Sequence, residues 1–310
     1  EEERLAKAGA TFVTTRDEGY PRLLKEIHDP PIGLYRKGSY LCGEPCVAVV
    51  GSRRCTLYGQ SVAKRLGAEL AQLGFCVVSG LARGIDTAAH EGALSVGGRT
   101  VAVLGCGLDI VYPPENLDLY RRIADTGAVL SEFPFGRKAD RQSFPMRNRV
   151  VSGMSEAIVV VETDTQGGAM ITARFAGEQG RLIFAVPGRI DQPSSHGCHQ
   201  LIRDGATLLM SVDDIVAELS YLDGLRPKPL TTEGQPGVLE QVMAQLGAEE
   251  KRVAAVFGGG GILGVDAIVA TTGLTAAEVS ATLLMLELKK LVVRRSDGTF
   301  EARPGLRQSE

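Results

Sequence analysis

Residues 47–90 read VAVVGSRRCTLYGQSVAKRLGAELAQLGFCVVSGLARGIDTAAH. Val47-Ala48-Val49-Val50 is an apolar, β-branched run without alternation, the pattern of a strand buried on both faces of a parallel sheet. It ends in Gly51-Ser52-Arg53-Arg54. From about Tyr58 to Leu73 the residues Val62, Ala63, Leu66, Leu70 and Leu73 recur at helical spacing, with Lys64, Arg65, Glu69 and Gln72 between them. Gly74 stops that helix. Cys76-Val77-Val78 is a second short strand, Ser79-Gly80-Leu81-Ala82-Arg83-Gly84 a second glycine-rich turn, and Ile85 to Leu94 a second helix. The stretch is a βαβ unit whose two strands both open into loops carrying glycine beside arginine. Open α/β sheets bind ligands at that carboxyl edge.

Glycine lets backbone N–H groups approach an anion, a helix N-terminus favours negative charge, and arginine adds a fork matched to phosphate oxygens. The loops therefore read as a phosphate site. They are not those of a P-loop NTPase, since Gly59-Gln60-Ser61 has glutamine where the lysine is required. Nor do they suit a nicotinamide cofactor, which needs G-x-G-x-x-G after the first strand and an acid after the second. Taken singly, either loop is also compatible with glycines that merely turn a strand into a helix.

Working outward, Thr100–Leu104 is a third strand, followed by Gly105-Cys106-Gly107-Leu108-Asp109, and Pro113–Asn116 is expected to cap a helix running to about Asp125. Ala128–Ser131 is a fourth strand. Glu132 to Arg149 is the most basic stretch of the chain, with Phe133, Phe135 and Phe144 interleaved among its charges. Arginine on phosphates with a base stacked on phenylalanine suits single-stranded nucleic acid; the alternative is a solvated loop whose phenylalanines pack inward. Ala157–Val161 and Leu182–Val186 are the fifth and sixth strands, the helix Ala169–Gln179 carrying Arg174 between them. Four or more loops at one sheet edge thus pair glycine with Arg, Ser or Thr. That convergence weighs more than any single loop.

Before the unit, residues 1–45 read as a lead-in, with a short helix from Tyr20 and an edge strand over Ile32–Gly38. After it, residues 46–220 form the main domain, ending in a helix over 211–219, and 221–236 a linker. Residues 237–305 then order as helix (Val238–Leu246), helix, turn, helix, with Thr275 and Glu278 as a capping box, and a hairpin turning at Asp297-Gly298. This is the order of a winged helix. Its second helix offers Ala276, Ala277, Glu278, Ser280, Ala281 and Thr282 where a reader of bases shows Arg, Asn or Gln. Protein contact, or weak backbone contact through Lys289, Lys290, Arg294 and Arg295, is the better expectation.

The 310 residues carry a formal net charge of -3, with 44% hydrophobic and 23% charged residues, so nucleic-acid contact must come from a local basic patch. No apolar run approaches the ~20 residues of a membrane span, and no signal peptide precedes the fold, so a cytoplasmic protein is expected. The six cysteines show no paired C-x-x-C spacing, which favours reduced thiols. His196-Gly197-Cys198-His199 invites a metal reading, but three polar residues in one turn cannot all face one point, and no metal or cofactor is assigned.

The motifs Val49–Arg53, Ser79–His90, Gly105–Asp109, Phe144–Arg149 and Gly167–Arg174, in this order, resemble the DNA-processing protein A (DprA, also called Smf) family from about Tyr20 to the C-terminus. The resemblance implies an extended Rossmann-like α/β domain with a parallel sheet, followed by a small C-terminal winged helix. It further implies a non-catalytic protein that binds single-stranded DNA, dimerises, and loads a RecA-type recombinase onto incoming DNA in natural transformation. A single-strand-binding protein is a further implied partner. The sterile-alpha-motif-like domain that many members carry cannot fit before Tyr20. Carried over by position, the DNA contacts fall on Gly51, Ser52 and Arg53, on Arg83 and Gly84, and on Gly105 and Gly107. They continue through Arg141, Phe144, Arg147, Asn148 and Arg149 to Gly168, Thr172 and Arg174. One departure is His199, which takes the place of the family's usual Asn.

Two other readings stand beside this one. Asp86 and His90 lie one helical turn apart and would serve a nucleotide enzyme of the phosphoribohydrolase type as an acid/base pair; otherwise they buttress the Arg83 loop. Such enzymes use Pro-Gly-Gly-x-Gly-Thr followed by a glutamate, whereas this chain has Gly167-Gly168-Ala169-Met170-Ile171-Thr172 and only Glu178 beyond. A sequence-specific transcription factor is disfavoured by the second helix of the winged unit.

Overall fold

The computed structural model describes residues 1–39, 43–140, 142–222, 246–257, 261–289, 291–295 and 297–302. The chain divides into two compact units, Glu1–Cys55 with Gly59–Leu230, and Thr56–Tyr58 with Thr231–Glu310.

The larger unit is built on one nine-stranded sheet. Its centre is β3 (Cys46–Val50), β4 (Cys76–Ser79), β5 (Thr100–Leu104), β6 (Ala128–Ser131), β7 (Ala157–Val160) and β8 (Leu182–Ala185). Every residue of β3 to β7 is buried, as uninterrupted apolar runs demand when helices cover both faces. With β1 (Ala10–Thr14), β2 (Gly33–Gly38) and β9 (Thr207–Leu208), the order is β1-β2-β6-β5-β4-β3-β7-β8-β9. From β3 the chain winds outward through β4, β5 and β6, then returns to place β7 on the other side of β3, in parallel register from Val47 opposite Ala157 to Val50 opposite Val160. The connections diverge between β3 and β7, so a crevice opens at their carboxyl ends.

The lead-in belongs to this sheet. β2 pairs antiparallel with β6 and is covered on its outer side by β1, so β1 rather than β2 is the edge. The helix expected from Tyr20 is a single 3-10 turn, Leu23–Glu26. α1 (Glu2–Ala8), which precedes β1, buries no residue, and β1 buries only Val13, so neither leaves an amphipathic signal in the sequence.

α2 (Leu57–Gln72) and α3 (Ile85–Ser95) cross with backbones nearly touching. A Cβ on Gly67 would lie 2.3 Å from Ala89 O, and one on Gly92 2.0 Å from Lys64 O. Backbone cannot yield as a flexible side chain can. Gly92→Ala is expected to destabilise by about 1–3 kcal/mol despite alanine's better helix propensity. Gly177, within α6 (Gly168–Glu178), has nothing closer than Ile183 Cδ1 at 3.8 Å, so Gly177→Ala should stabilise by about 0.5–1 kcal/mol. Urea titrations of both variants check the opposite signs; equal midpoints would refute the tight crossing.

The smaller unit packs helices Ala248–Val256, Val265–Thr272 and Ala276–Leu288 on a three-stranded sheet of Ile262–Leu263, Phe300–Ala302 and Val292–Arg294. Val253, Phe257, Ile268, Val279, Leu283 and Leu286 form its core. Thr275 and Glu278 make the expected capping box, and Gly273, at φ 68°, ends the preceding helix. Lys289 and Arg295, expected as backbone contacts, are spent on internal ion pairs with Glu250 (2.6 Å) and Glu301 (2.7 Å), which leaves Arg294 exposed. Lys290, the linker 221–236 beyond Leu222, and the helix read at Val238–Leu246 save Leu246 lie outside the described residues.

Candidate nucleic-acid interface

The β3 and β4 ends are locked together before any ligand arrives. Ser79 Oγ donates to Val49 O (2.7 Å), Ser52 N to Glu162 O beyond β7 (2.6 Å), and Ile85 N to Ser52 O (3.2 Å). The Gly80–Gly84 loop is pinned by side chains from two helical segments. Asp86 Oδ2 accepts from Gly80 N (3.1 Å) and Ala82 N (3.3 Å), Thr87 Oγ1 donates to Ala82 O (2.7 Å), and Asn116 Nδ2 donates to Leu81 O (3.0 Å). Asp86 is thus a buttress. Burial pushes its carboxyl above the ordinary value while these amides and the Arg147 charge pull it down. His90, the other half of the acid/base reading, is fully buried and bonds to Thr100 Oγ1 (2.6 Å). Gly84, at φ 77°, would place a Cβ 2.3 Å from Ser52 O, so its glycine joins the two loops sterically. Asn116 holds the N-cap position of α4 (Leu117–Thr126), as expected, but its side-chain amide is committed to the Arg83 loop rather than to the helix.

The basic stretch splits in two. Phe133 and Phe135 are buried, so they pack inward. From Ser143 the chain is helical, α5 (Ser143–Gly153), with Asp140 Oδ1 accepting from Gln142 N (2.9 Å) and Ser143 N (2.7 Å) at its start and Pro145 tolerated in its first turn. Arg149 is buried, donating to both oxygens of Glu132 (2.7 and 2.9 Å) and lying 3.2 Å from Asp29, so it ties the lead-in to the end of β6 and lies outside the cavity lining. Arg147 is also buried: Nη1 donates to Gly80 O (2.6 Å) and to Val103 O, and Nε to Asn148 Oδ1 (3.2 Å). Only without a Cβ at Gly80, which would lie 2.0 Å from Nη1, can this guanidinium pass.

Phe144 sits at the mouth, half-buried, with the Arg53 guanidinium 4.4 Å from its ring centroid and Tyr112 5.9 Å away at 48°. Gly105 lies behind it, a Cβ there meeting the ring at 3.3 Å. The expected open stacking face is therefore already covered by Arg53, a cation–π contact.

Between the ends of β3, β4 and β7 and the side of α5 lies a cavity of about 530 Å3. Gly51, Ser52, Arg53 and Phe144 line it, as do Arg147, Asn148, Gly168 and Thr172, so eight of the expected residues converge. α6 begins there at Gly168 with no side-chain cap, its positive end facing the crevice. Arg83 and Gly84 lie outside the lining, Arg83 pairing with Glu115. Gly105 and Gly107 support the wall rather than line it, Gly107 N donating to Arg137 O (2.9 Å). Arg174 is exposed and paired with Glu178 (2.8 Å), and Arg141 lies outside the described residues. Gly80, Asp86, Thr163, Asp164 and Ile171 are among the other lining residues, none of them expected as a DNA contact. Gly80 belongs to the second glycine-rich turn, Asp86 to the helix after it, and Ile171 to the Gly167–Arg174 motif, while Thr163 and Asp164 precede the Gly167-Gly168 pair.

The histidine-cysteine run lies in α7 (Pro193–Arg203) and diverges. His196 Nε2 meets Ile190 O (3.3 Å), His199 Nε2 meets Gly188 O (2.9 Å), and Cys198 Sγ points to Val160 O and Val161 O.

Residues 11–220 match the family model described as DNA recombination-mediator protein A, and residues 227–298 that of the DprA winged helix domain. The chain belongs to this family. The "Protein Smf" of Synechocystis is 39% identical over 94% of the chain and 80% of its own length, and the "DNA processing protein DprA" of Streptococcus pneumoniae 44% identical over 66% and 73%. The X-ray structure of the pneumococcal DNA processing protein A superposes with a TM-score of 0.66 at 40% identity, covering 70% of this chain and 78% of that one. A Helicobacter pylori DNA processing protein A, whose structure was described for its unique single-stranded DNA binding mode, superposes at 0.61 with 31% identity over 68% and 96%. Family membership accounts for both the Rossmann-like sheet and the winged helix. Among the described residues no single helix is long and apolar enough to cross a membrane.

Proposed function

We propose that this chain binds single-stranded DNA in the cavity at the β3/β7 crevice, without catalysis, and hands the strand to a RecA-type recombinase during natural transformation. A homodimer in the cytoplasm, with a single-strand-binding protein as a further partner, completes the reading. The observation that carries it is Arg53 lying over Phe144 beside the N-terminus of α6: a phosphate-binding fork, a stacking ring and a helix end converge on one cavity. The single-stranded DNA binding of the Helicobacter pylori relative supports the ligand class. The non-catalytic reading is supported by Asp86 and His90, whose polar atoms serve the backbone and Thr100 rather than facing each other as an acid/base pair.

On binding, Arg53 leaves the Phe144 ring for a phosphate and a base takes its place. Arg53→Ala and Phe144→Ala should each weaken oligo-dT binding by about tenfold, since a stacked base or a phosphate contact is worth ~1–3 kcal/mol. Only the arginine substitution should also flatten the salt dependence, by about 0.7 in log–log slope. Fluorescence anisotropy across a salt series, with duplex as the control, checks both. Binding that survives both substitutions would refute the cavity assignment.

A further inference from the structure

Just outside the cavity, the Phe144 ring is continued by a second aromatic side chain that is open to solvent. Tyr112 is 40% exposed, with its ring centroid 5.9 Å from that of Phe144. Close by, Arg83 Nε is paired with Glu115 Oε1, both side chains about half exposed (52% and 51%), and the Tyr112 phenol lies against the same guanidinium. The two loops that carry these residues are tied to each other, because Asn116 Nδ2 donates to Leu81 O (3.0 Å) and to Thr87 Oγ1 (2.9 Å). The group is a ring, a cation and an anion held at fixed positions, next to the ring on which the strand is read to stack.

We propose that Tyr112, Arg83 and Glu115 form a second nucleotide subsite outside the cavity, in which Tyr112 stacks a base of the strand leaving Phe144 and Glu115 occupies Arg83 until a phosphate displaces it. The inference rests on the single-stranded DNA reading of the cavity and extends it by one nucleotide. An exposed ion pair is held weakly and is screened by salt, so a phosphate can replace the carboxylate at little cost. A base in a duplex cannot offer its face to Tyr112, so the subsite adds to the preference for single strands. Glu115, as a built-in competitor, makes occupancy of the subsite depend on the strand rather than on free anions.

The chain contains no tryptophan, so Tyr112→Trp places a single tryptophan at this ring, whose emission is excited selectively over that of the tyrosines. Oligo-dT should quench that emission on saturation; unchanged emission with the strand bound would overturn the stacking role. By anisotropy, Tyr112→Ala should weaken a long oligo-dT on the order of tenfold while Tyr112→Phe retains affinity, as the value of a stacked base implies. Glu115→Gln should tighten binding several-fold at low salt, because Arg83 no longer has to give up a carboxylate before it takes the phosphate. Equal affinities for Tyr112→Ala, Glu115→Gln and wild type would refute the subsite. If Arg53→Ala weakens binding in the same series, the cavity stands and only this extension falls; if it does not, the cavity reading itself fails.

Discussion

Arg147→Met is expected to lower the free energy of unfolding by about 3–5 kcal/mol, although methionine nearly matches the length of the arginine stem. Arg147 is 5% exposed, and its Nη1 is the donor shared by Gly80 O and Val103 O. Removing it leaves two buried carbonyls short of a donor, each costing about 1–3 kcal/mol. The same change strips Asp86 of its largest source of opposite charge. Burial already pushes the Arg147 guanidinium below its ordinary value, with the Asp86 carboxylate acting against that fall. The two charges therefore sustain each other at the floor of the cavity. It follows that Asp86→Asn in the Arg147→Met background should cost less than Asp86→Asn alone. Chemical denaturation of the two single variants and the double variant measures the coupling, and additivity to within about 0.5 kcal/mol would disprove it. DNA binding should fall as well, because an uncompensated Asp86 carboxylate would repel phosphate from the cavity.

The same residue marks where sequence stops being a sufficient guide. β3 to β7 are legible because a strand buried on both faces has no choice but a continuous apolar run, and Thr100–Leu104 and Ala128–Ser131 fall where that pattern places them. The Gly51 and Gly168 loops are legible because phosphate chemistry restricts residue type. α5 is not, because more than half of what it buries is polar: Ser143, Arg147, Arg149 and Ser152 occupy the positions that aliphatic residues would mark. Arginine is rarely buried, so Arg147 and Arg149 read as exposed phosphate ligands. What buries them instead is acceptors far apart in sequence, Gly80 O and Val103 O for Arg147, which still reaches the cavity lining, and Glu132 for Arg149. Phe133, Phe135 and Phe144 are alike in the sequence, yet only Phe144 lies on the helix that faces the crevice. For Asp86 the sequence leaves two readings, because a loop buttress and a general acid have the same residue type at the same spacing; its partners, Gly80 N and Ala82 N, are those of the buttress.

The second large effect is a dependence of stability on pH that originates at His90. Thr100 Oγ1 donates to Val77 O (2.6 Å), so its lone pair accepts from His90 Nδ1–H, and the neutral ring is the form that fits. Nε2 is buried without a partner among the described residues, and a proton there would be an unpaired buried charge. Burial, with the Arg147 charge adding to it, pushes the His90 pKa from 6.5 down to about 3. Between those values the unfolded chain binds a proton that the folded chain refuses, so stability is complete above pH 6.5 and falls as pH drops toward about 3. At 1.36 kcal/mol per pH unit, His90 should remove about 2 kcal/mol between pH 7 and pH 5, and about 5 kcal/mol over the whole interval. His90→Leu abolishes this proton uptake while other groups titrate as before. Urea unfolding at a series of pH values should therefore show the stability of wild type relative to His90→Leu shrinking by about 2 kcal/mol from pH 7 to pH 5. Parallel profiles would show that His90 titrates normally in the fold. His90 lies one turn along α3 from Asp86, so protonation strains the helix that holds the Gly80–Gly84 loop. Acid should accordingly loosen the cavity floor before the distant strands β8 and β9, and amide exchange at Gly80 and Ala82, whose N–H groups Asp86 accepts, should accelerate first.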